Sequence, residues 1–343
     1  MRVGVCVQSK VDDPDYVVRL ESRGYASAWF ADSPTIWSDC YACLALAATR
    51  TERIRLGTGV AVAGLRLPTT TAGSIATINR LAPGRTFLAM GNGNTGWRLL
   101  GHKPVPVAAF ERELRTVRTL LRGEPAELDV RGRTTVASLQ MADLGFVDVE
   151  HPIPLVVSAF GPRTMQVAAS VGDGLVTTLV SPEHVERARR VVGAMPITGM
   201  THAIVLRPGE DAASERVREH AGATVLSTVH YLYDKWCDDG RGAAPRALAP
   251  IWDDYVAAVE STPLPRRHER VHAGHNTFVH PDEARFVTPE LIERFVLVGT
   301  PDALVTRLRD YADAGLDELL LLPDLEHRDE DTDDFARAVL GAL

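Results

Sequence analysis

Apolar positions along this chain fall into two alternating textures. Short, nearly continuous apolar runs, most of them rich in β-formers, occur at RVGVCVQS (2–9), SAWFADS (27–33), RIRLGTGVAV (53–62) and RTFLAMGNG (85–93). Runs without a polar face read as strands buried on both sides, as in a parallel sheet. Between them the apolar spacing is helical. Val17, Val18 and Leu20 make one stripe over 13–24, closed by Gly24. Tyr41, Leu44, Ala45 and Ala48 make a second over 38–50; Ile75, Ile78 and Leu81 make a third over 69–82, before Pro83-Gly84 stops it.

The alternation resumes at PLVVSAFG (154–161), a helix over 163–171, GLVTTLV (174–180), a helix over 182–193, THAIVLRP (201–208) and LDELLLLP (316–323), with a terminal helix beyond. A repeat of ~25–30 residues is the size of one βα unit. Eight such strands can close a barrel, whereas a doubly wound open sheet would stop at about five to seven. The expectation is therefore an α/β chain, a (β/α)8 TIM barrel forming one domain over 1–343. Two connections are long. Residues 94–152, after the fourth strand, hold an amphipathic helix over 107–122 and then an unpatterned segment. Residues 209–295, after the seventh, hold helical pieces, a Gly/Pro-rich stretch at 240–250 and a His-rich loop. In a barrel such insertions sit at the C-terminal face, where active sites are assembled.

Composition narrows the class. Thirty-seven Lys and Arg against forty-five Asp and Glu give a net charge of −8, which argues against nucleic acid as a partner. No stretch approaches the roughly 20 apolar residues of a membrane span. The opening MRVGVCVQSKVDD is too short an apolar run for a secretory signal, and four cysteines (Cys6, Cys40, Cys43, Cys237) indicate a reducing compartment. These features describe a cytoplasmic enzyme acting on a small molecule.

Several short patterns carry candidate chemistry. His268-Glu269-Arg270-Val271-His272 matches the zinc-protease pattern. It follows Pro263 and Pro265 and runs into Ala273-Gly274, so a long zinc-bearing helix is not expected, and no metal is assigned. His275 and His280 fit no standard ligand spacing. Gly91-Asn92-Gly93-Asn94-Thr95-Gly96 fits GxGxxG, but after the fourth strand rather than the first. Its glycines allow either a tight turn or the approach of a flat or anionic ligand. Cys40-Tyr41-Ala42-Cys43 lies where a helix is already running, which suits buried packing better than redox work. Phe160-Gly161-Pro162-Arg163-Thr164 joins a buried strand to a helix start and is a credible phosphate seat.

Asp32-Ser33-Pro34-Thr35-Ile36-Trp37, Arg55-Leu56-Gly57-Thr58-Gly59-Val60, Leu81-Ala82-Pro83-Gly84-Arg85, Gly91-Asn92-Gly93, Gly161-Pro162, Gly172-Asp173-Gly174 and Phe295-Val296-Leu297-Val298-Gly299-Thr300-Pro301 occur in that order. Together they resemble the luciferase-like flavin and deazaflavin oxidoreductases. The branch they most resemble is that of methylenetetrahydromethanopterin reductase and other coenzyme F420-dependent enzymes. The resemblance covers residues 2 to about 325 and is weakest over 210–290. It implies a homodimeric barrel with coenzyme F420 at its C-terminal mouth, FMN being the alternative. Asp32 and Trp37 would line the ring pocket, and Gly59-Val60 would be the family's bulge, often a non-prolyl cis peptide, behind the ring. Asn92 and Gly93 would contact the ring or its side chain. Gly161, Pro162, Thr164 and Thr178 would hold the phosphate.

Two departures matter. Where sugar-phosphate and alcohol dehydrogenases of this family carry His after the strand-two Asp, this chain has Ser33; their acidic residue after GxG is replaced by Asn94. Both changes remove ionisable groups, so a proton must come from elsewhere. His272 and His275 of the His-rich loop are the candidates, with Asp32 a third. The function implied is hydride transfer between coenzyme F420 and a small organic substrate. An FMN-dependent, oxygen-using monooxygenase and a non-catalytic binding or accessory barrel are the competing readings.

Overall fold

A computed structural model describes all of residues 1–343. Strand β1 (Arg2–Val7) leads through α1 (Asp15–Ser22) to β2 (Ser27–Phe30), α2 (Cys40–Ala48), β3 (Arg55–Thr58), a two-residue β4 (Ala61–Val62), α3 (Pro68–Leu81) and β5 (Thr86–Gly91). A first insertion carries α4 (Asn94–Arg98), α5 (Val107–Leu121), β6 (Ala126–Val130) and β7 (Arg133–Ala137). The chain returns through β8 (Leu155–Ser158), α6 (Pro162–Val171), β9 (Gly174–Thr178), α7 (Pro182–Val192) and β10 (Ile197–Val205). A second insertion holds α8 (Glu215–Asp238), α9 (Trp252–Glu260), α10 (Arg267–Val271) and α11 (Pro289–Phe295). Strand β11 (Val296–Gly299), α12 (Pro301–Asp313), β12 (Glu318–Leu321) and α13 (Arg328–Ala338) complete the chain.

Strands β1, β2, β3, β5, β8, β9, β10 and β12 pair in that order, all parallel, and β12 pairs back to β1. The barrel is closed. The helices between strands follow the expected stripes to within two residues, because each stripe packs on the sheet it covers.

Three local readings need correcting. The 53–62 run is not one strand: it breaks after Thr58 at a cis Gly59–Val60 peptide and resumes as β4, which pairs with β5. The seventh strand starts at Ile197 rather than residue 201. Its Ile197–Thr201 part lines the barrel between β9 and β12, whereas His202–Val205 pairs outward with β11. Gly199, a poor strand former, interrupts the β texture of that segment in the sequence. The unpatterned stretch of the first insertion contains the antiparallel hairpin β6–β7. Its turn, Arg131-Gly132, has φ of 55° and 74° at the two positions, a two-residue hairpin signal that its polar strands obscured.

Three apolar clusters result. The largest lies between barrel and helices. A small one fills the barrel interior: Trp29, Phe87, Ala89, Val156, Val176 and Leu320, with the Trp29 and Phe87 rings 4.5 Å apart. The third, of 18 buried residues, is built by α8, α9, α11 and β11, so the second insertion has a core of its own. No helix is long and apolar enough to cross a membrane.

What fastens that insertion to the barrel is polar. Asp331 of α13, 4% exposed, accepts from His202 of β10 at 2.9 Å and from His220 of α8 at 2.6 Å. The His220 ring stacks at 4.0 Å on His327, which pairs with Asp324 at 2.8 Å. Burial works against the Asp331 charge, yet the two histidines more than offset it and hold its carboxyl down at about 2. A carboxylate depressed on folding contributes stability that is present above its unfolded value near 4 and lost as pH falls through about 2. Acid unfolding monitored by circular dichroism should therefore show a loss of stability between about pH 4 and 2 that Asp331→Asn lacks. At pH 7, Asp331→Ala should cost about 3–5 kcal/mol in urea titrations, since it leaves two buried imidazoles without their partner; a cost under 1 kcal/mol would contradict this role.

Candidate active site

The C-terminal ends of the barrel strands converge above the interior cluster. Val60, Cys6 and Met200 pack on that cluster from above and form an apolar floor. Gly91 lies beside it: a Cβ there would come 2.9 Å from Val60 Cγ2 and 3.3 Å from the Ser158 Cβ. Burial pushes the Cys6 thiol up to about 12, so it serves as floor and not as a nucleophile.

Asp32, at the end of β2, is buried and already engaged. Its Oδ2 accepts from Arg66 Nη1 at 2.6 Å and from the Val62 amide at 3.2 Å. Arg66 also reaches Asp39, the N-cap of α2, and lies over the Tyr41 ring. Asp32 thus ties β2, β4 and α2 together through a charge-assisted hydrogen bond. Three residues on, Thr35 sits at φ 83°, an unfavourable conformation for a β-branched residue. The turn delivers Trp37, half-buried, whose Nε1 donates to Thr277 Oγ1 at 3.2 Å.

That contact brings in the second insertion. Gln8, at the end of β1, donates to the carbonyls of Asn276 at 2.9 Å and Pro323 at 2.6 Å. The Leu325 amide donates to Thr277 O, and the Asn276 amide to Ser227 Oγ of α8. The loop 272–278 therefore roofs the mouth. His275 lies there, its ring 6.1 Å from Trp37 and its Nε2 3.3 Å from Thr95 Oγ1. His272 does not. It is 2% exposed, set back from the mouth, with Nε2 3.0 Å from Asp234 Oδ2 of α8. Burial lowers the proton affinity of both imidazoles, His275's strongly, so neither stores a proton near neutrality. Gln8, Asp234 and Arg66 were not singled out in the sequence, because each acts through a contact more than thirty residues away.

The GxGxxG pattern resolves into packing. Gly93, at φ 83°, would place a Cβ 2.4 Å from Val62 Cγ1, and Gly96 would place one 3.0 Å from Val62 Cγ2. Both faces are spent on β4. Asn92 remains half-buried at the end of β5, its carbonyl accepting from Val105. Gly161 is the opposite case. Its φ is −116°, and nothing lies within 4 Å of a Cβ built there. It caps α6, whose first turn, Pro162 and Arg163, is exposed. Thr164 Oγ1 donates back to Gly161 O at 2.9 Å, so its hydroxyl orients the cap. Thr178 ends the neighbouring strand β9.

The remaining candidates have structural explanations. Cys40 is the first residue of α2 rather than part of a running helix, yet both it and Cys43 are buried and their thiols are pushed up, Cys43 to about 11. In the HExxH segment, α10 spans five residues, Glu269 pairs with Arg266 and His272 with Asp234. No group of three His, Cys, Asp or Glu side chains is arranged to hold a metal ion. Glu113 of α5 is pushed up to about 7 by burial, but its Oε1 is taken by the Gly64 amide, and Gly64 packs on Trp97.

Comparison with known proteins bears on this site. The family model described as luciferase-like monooxygenase matches residues 7–318. A 5,10-methylenetetrahydromethanopterin reductase of Archaeoglobus fulgidus is 28% identical over 319 residues, 89% of this chain and 88% of that protein. An F420-dependent glucose-6-phosphate dehydrogenase of Beutenbergia cavernae is 31% identical over 176 residues, 48% of this chain and 51% of that one. Among solved structures, the coenzyme F420-dependent tetrahydromethanopterin reductase of Methanopyrus kandleri superposes with a TM-score of 0.69 at 18% identity, covering 99% of this chain and 98% of its own.

The two kinds of glycine should separate on mutation. Gly93→Ala meets both an unfavourable φ and Val62, and thermal melts should show a loss of about 2–4 kcal/mol. Gly161→Ala should lie within about 0.5 kcal/mol of wild type. Equal effects would mean the packing assignment is wrong. Zinc, measured by elemental analysis after dialysis, should be well below one atom per chain; stoichiometric zinc lost in His272→Ala would reverse the reading of the HExxH segment.

Proposed function

The chain belongs to the luciferase-like monooxygenase family, and from that premise we propose that it transfers hydride between coenzyme F420 and a small organic substrate at the C-terminal mouth of the barrel. The relatives whose names specify F420 support the cofactor. The observation that carries the reading is the pairing of two features that nothing inside the chain uses. One is a flat apolar floor at Val60. The other is an uncrowded helix start at Gly161, next to the end of β9. Buried polar atoms lacking protein partners lie at the same mouth: Gln8 Oε1 and Asn276 Oδ1. Such atoms are costly unless a ligand or water meets them.

A bound deazaflavin supplies a two-electron hydride carrier with carbon where flavin has N5, which disfavours oxygen chemistry. The chain's residues do the rest. Gly59 and Val60 support the back of a ring, Trp37 and Asn92 flank it, and the start of α6 with Thr178 receives a phosphate. Asp32, held by Arg66, fixes the β2 and β4 ends at the required spacing. His275 presents a ring nitrogen beside Thr95 to donate to, or accept from, a substrate oxygen. In this reading the protein acts as a cytoplasmic homodimer.

Absorbance titration of the purified protein with F420 and, separately, FMN tests the cofactor. F420 should bind and FMN should bind more weakly. Gly161→Asp should weaken F420 at least tenfold, about 1.4 kcal/mol, with an unchanged melting temperature. Saturation by FMN with no response to F420 would replace this reading by the oxygen-using one.

A further inference from the structure

Behind the roof of the mouth, three imidazoles stand in a row. The His230 and His272 rings are 6.2 Å apart, and the His272 and His275 rings 5.9 Å. Each uses its Nε2: His230 toward Glu283 at 3.3 Å, His272 toward Asp234 at 3.0 Å, His275 toward Thr95 at 3.3 Å. Each also keeps a buried Nδ1 with no protein partner. Three orphaned ring nitrogens within one short row are hard to explain as packing, since each forfeits a hydrogen bond in a low-dielectric interior.

The two ends of the row differ. His230 leads away from the mouth to Glu283, which is fully buried and held by Arg270 at 3.0 Å. At His272 the row opens. Asp234 and His272 line a solvent-connected cavity of about 210 Å³ with Arg98, His102, Lys103 and His268, and none of its lining residues is hydrophobic. Arg98 Nε lies 3.3 Å from Asp234 Oδ2 and fixes it toward His272. His275, at the other end, reaches the mouth. One row therefore joins a water-filled pocket to the place where substrate chemistry is proposed, without passing through the mouth itself.

We infer that Asp234 and His272 form a proton conduit between this polar pocket and His275. The inference rests on the hydride-transfer reading above. When a substrate alcohol is oxidised, its C–H pair leaves as hydride to the deazaflavin and its O–H proton passes to His275. His275 hands a proton, across one bridging water, to Nδ1 of His272. His272 releases its Nε2 proton to the Asp234 carboxylate, which gives it to water in the pocket. The substrate loses a hydride and a proton, the deazaflavin gains the hydride with its two electrons, and the solvent gains the proton. Substrate reduction runs the same steps backwards. Neutral imidazoles, each with one free lone pair, suit this relay better than a charged one would, and burial keeps both rings neutral at rest. Asp234 and His272 act through His275 and touch no reacting atom.

The relay can be read without substrate or cofactor. In ¹⁵N-histidine-labelled free protein, exchange of the His275 ring N–H with water is measured by NMR. Its Nδ1 has no exposed surface, so exchange there depends on the row behind it. Asp234→Asn and His272→Ala should each slow that exchange at least tenfold. Imidazole at millimolar concentration, entering by the polar pocket, should restore it in His272→Ala. His230→Gln, on the branch that ends at buried Glu283 and not between His275 and Asp234, should leave it unchanged. Unaltered exchange in Asp234→Asn, whose shape is conserved, would overturn the inference even if His272→Ala failed to fold. Equal slowing by His230→Gln would place the route elsewhere. F420 titration of the same variants should give wild-type affinity. Loss of F420 binding by the wild-type protein would overturn the functional reading, while the exchange result would still report on the conduit.

Discussion

The barrel is solid, and that constraint decides where everything else can be. Trp29 and Phe87, packed at 4.5 Å and enclosed by Ala89, Val156, Val176 and Leu320, fill the space inside the eight strands. Below them, Trp29 Nε1 donates to Ser27 Oγ, Ser27 donates to Glu318, and Arg2 approaches the same carboxylate, so the lower end is closed by polar contacts. A ligand cannot descend and must lie across the top. The upper face of this plug, Val60 with Cys6 and Met200, is an apolar surface on which a planar ring can rest.

A site on an open mouth needs a roof, because hydride and proton steps are sensitive to water. The second insertion supplies it through two fastenings of different character. At its root, Asp331 clamps α8 to β10 through a pair of buried histidines. At its tip, Gln8 and Trp37 hold the 272–278 loop by single hydrogen bonds to Asn276 and Thr277. The root is charged and desolvated, hence strong when intact and costly to break. The tip relies on neutral bonds worth about 1 kcal/mol each, which suits a segment that must let substrate in and out.

How much of this was legible beforehand follows from the range of the interactions. Strand runs and helical stripes are local, and they yielded eight strands, the barrel and the positions of Gly161 and Trp37. The order of short patterns from Asp32 to Pro301 placed the chain in its family. The misread elements were those whose residues look wrong locally and are rescued by neighbours: Gly199 in a barrel strand, and polar Arg133–Ala137 in a hairpin. GxGxxG left a tight turn and a ligand's approach both open, and the close packing of Gly93 and Gly96 on Val62 is a contact only the third dimension supplies. His272 and His275 are three residues apart in sequence, and nothing local could separate one in the mouth from one behind it.

That separation bears on how this chain handles protons. At the mouth Asp32 is held by Arg66, and the proposed conduit arrives there at His275. Taking a proton from solvent at the rim would also admit water to the reaction. Drawing it instead through the insertion keeps the mouth roofed while the proton moves by another way. The same feature ties activity to the fold of the insertion. A change that loosens α8, which carries both Asp234 and His220, would disturb the conduit and the Asp331 clamp together.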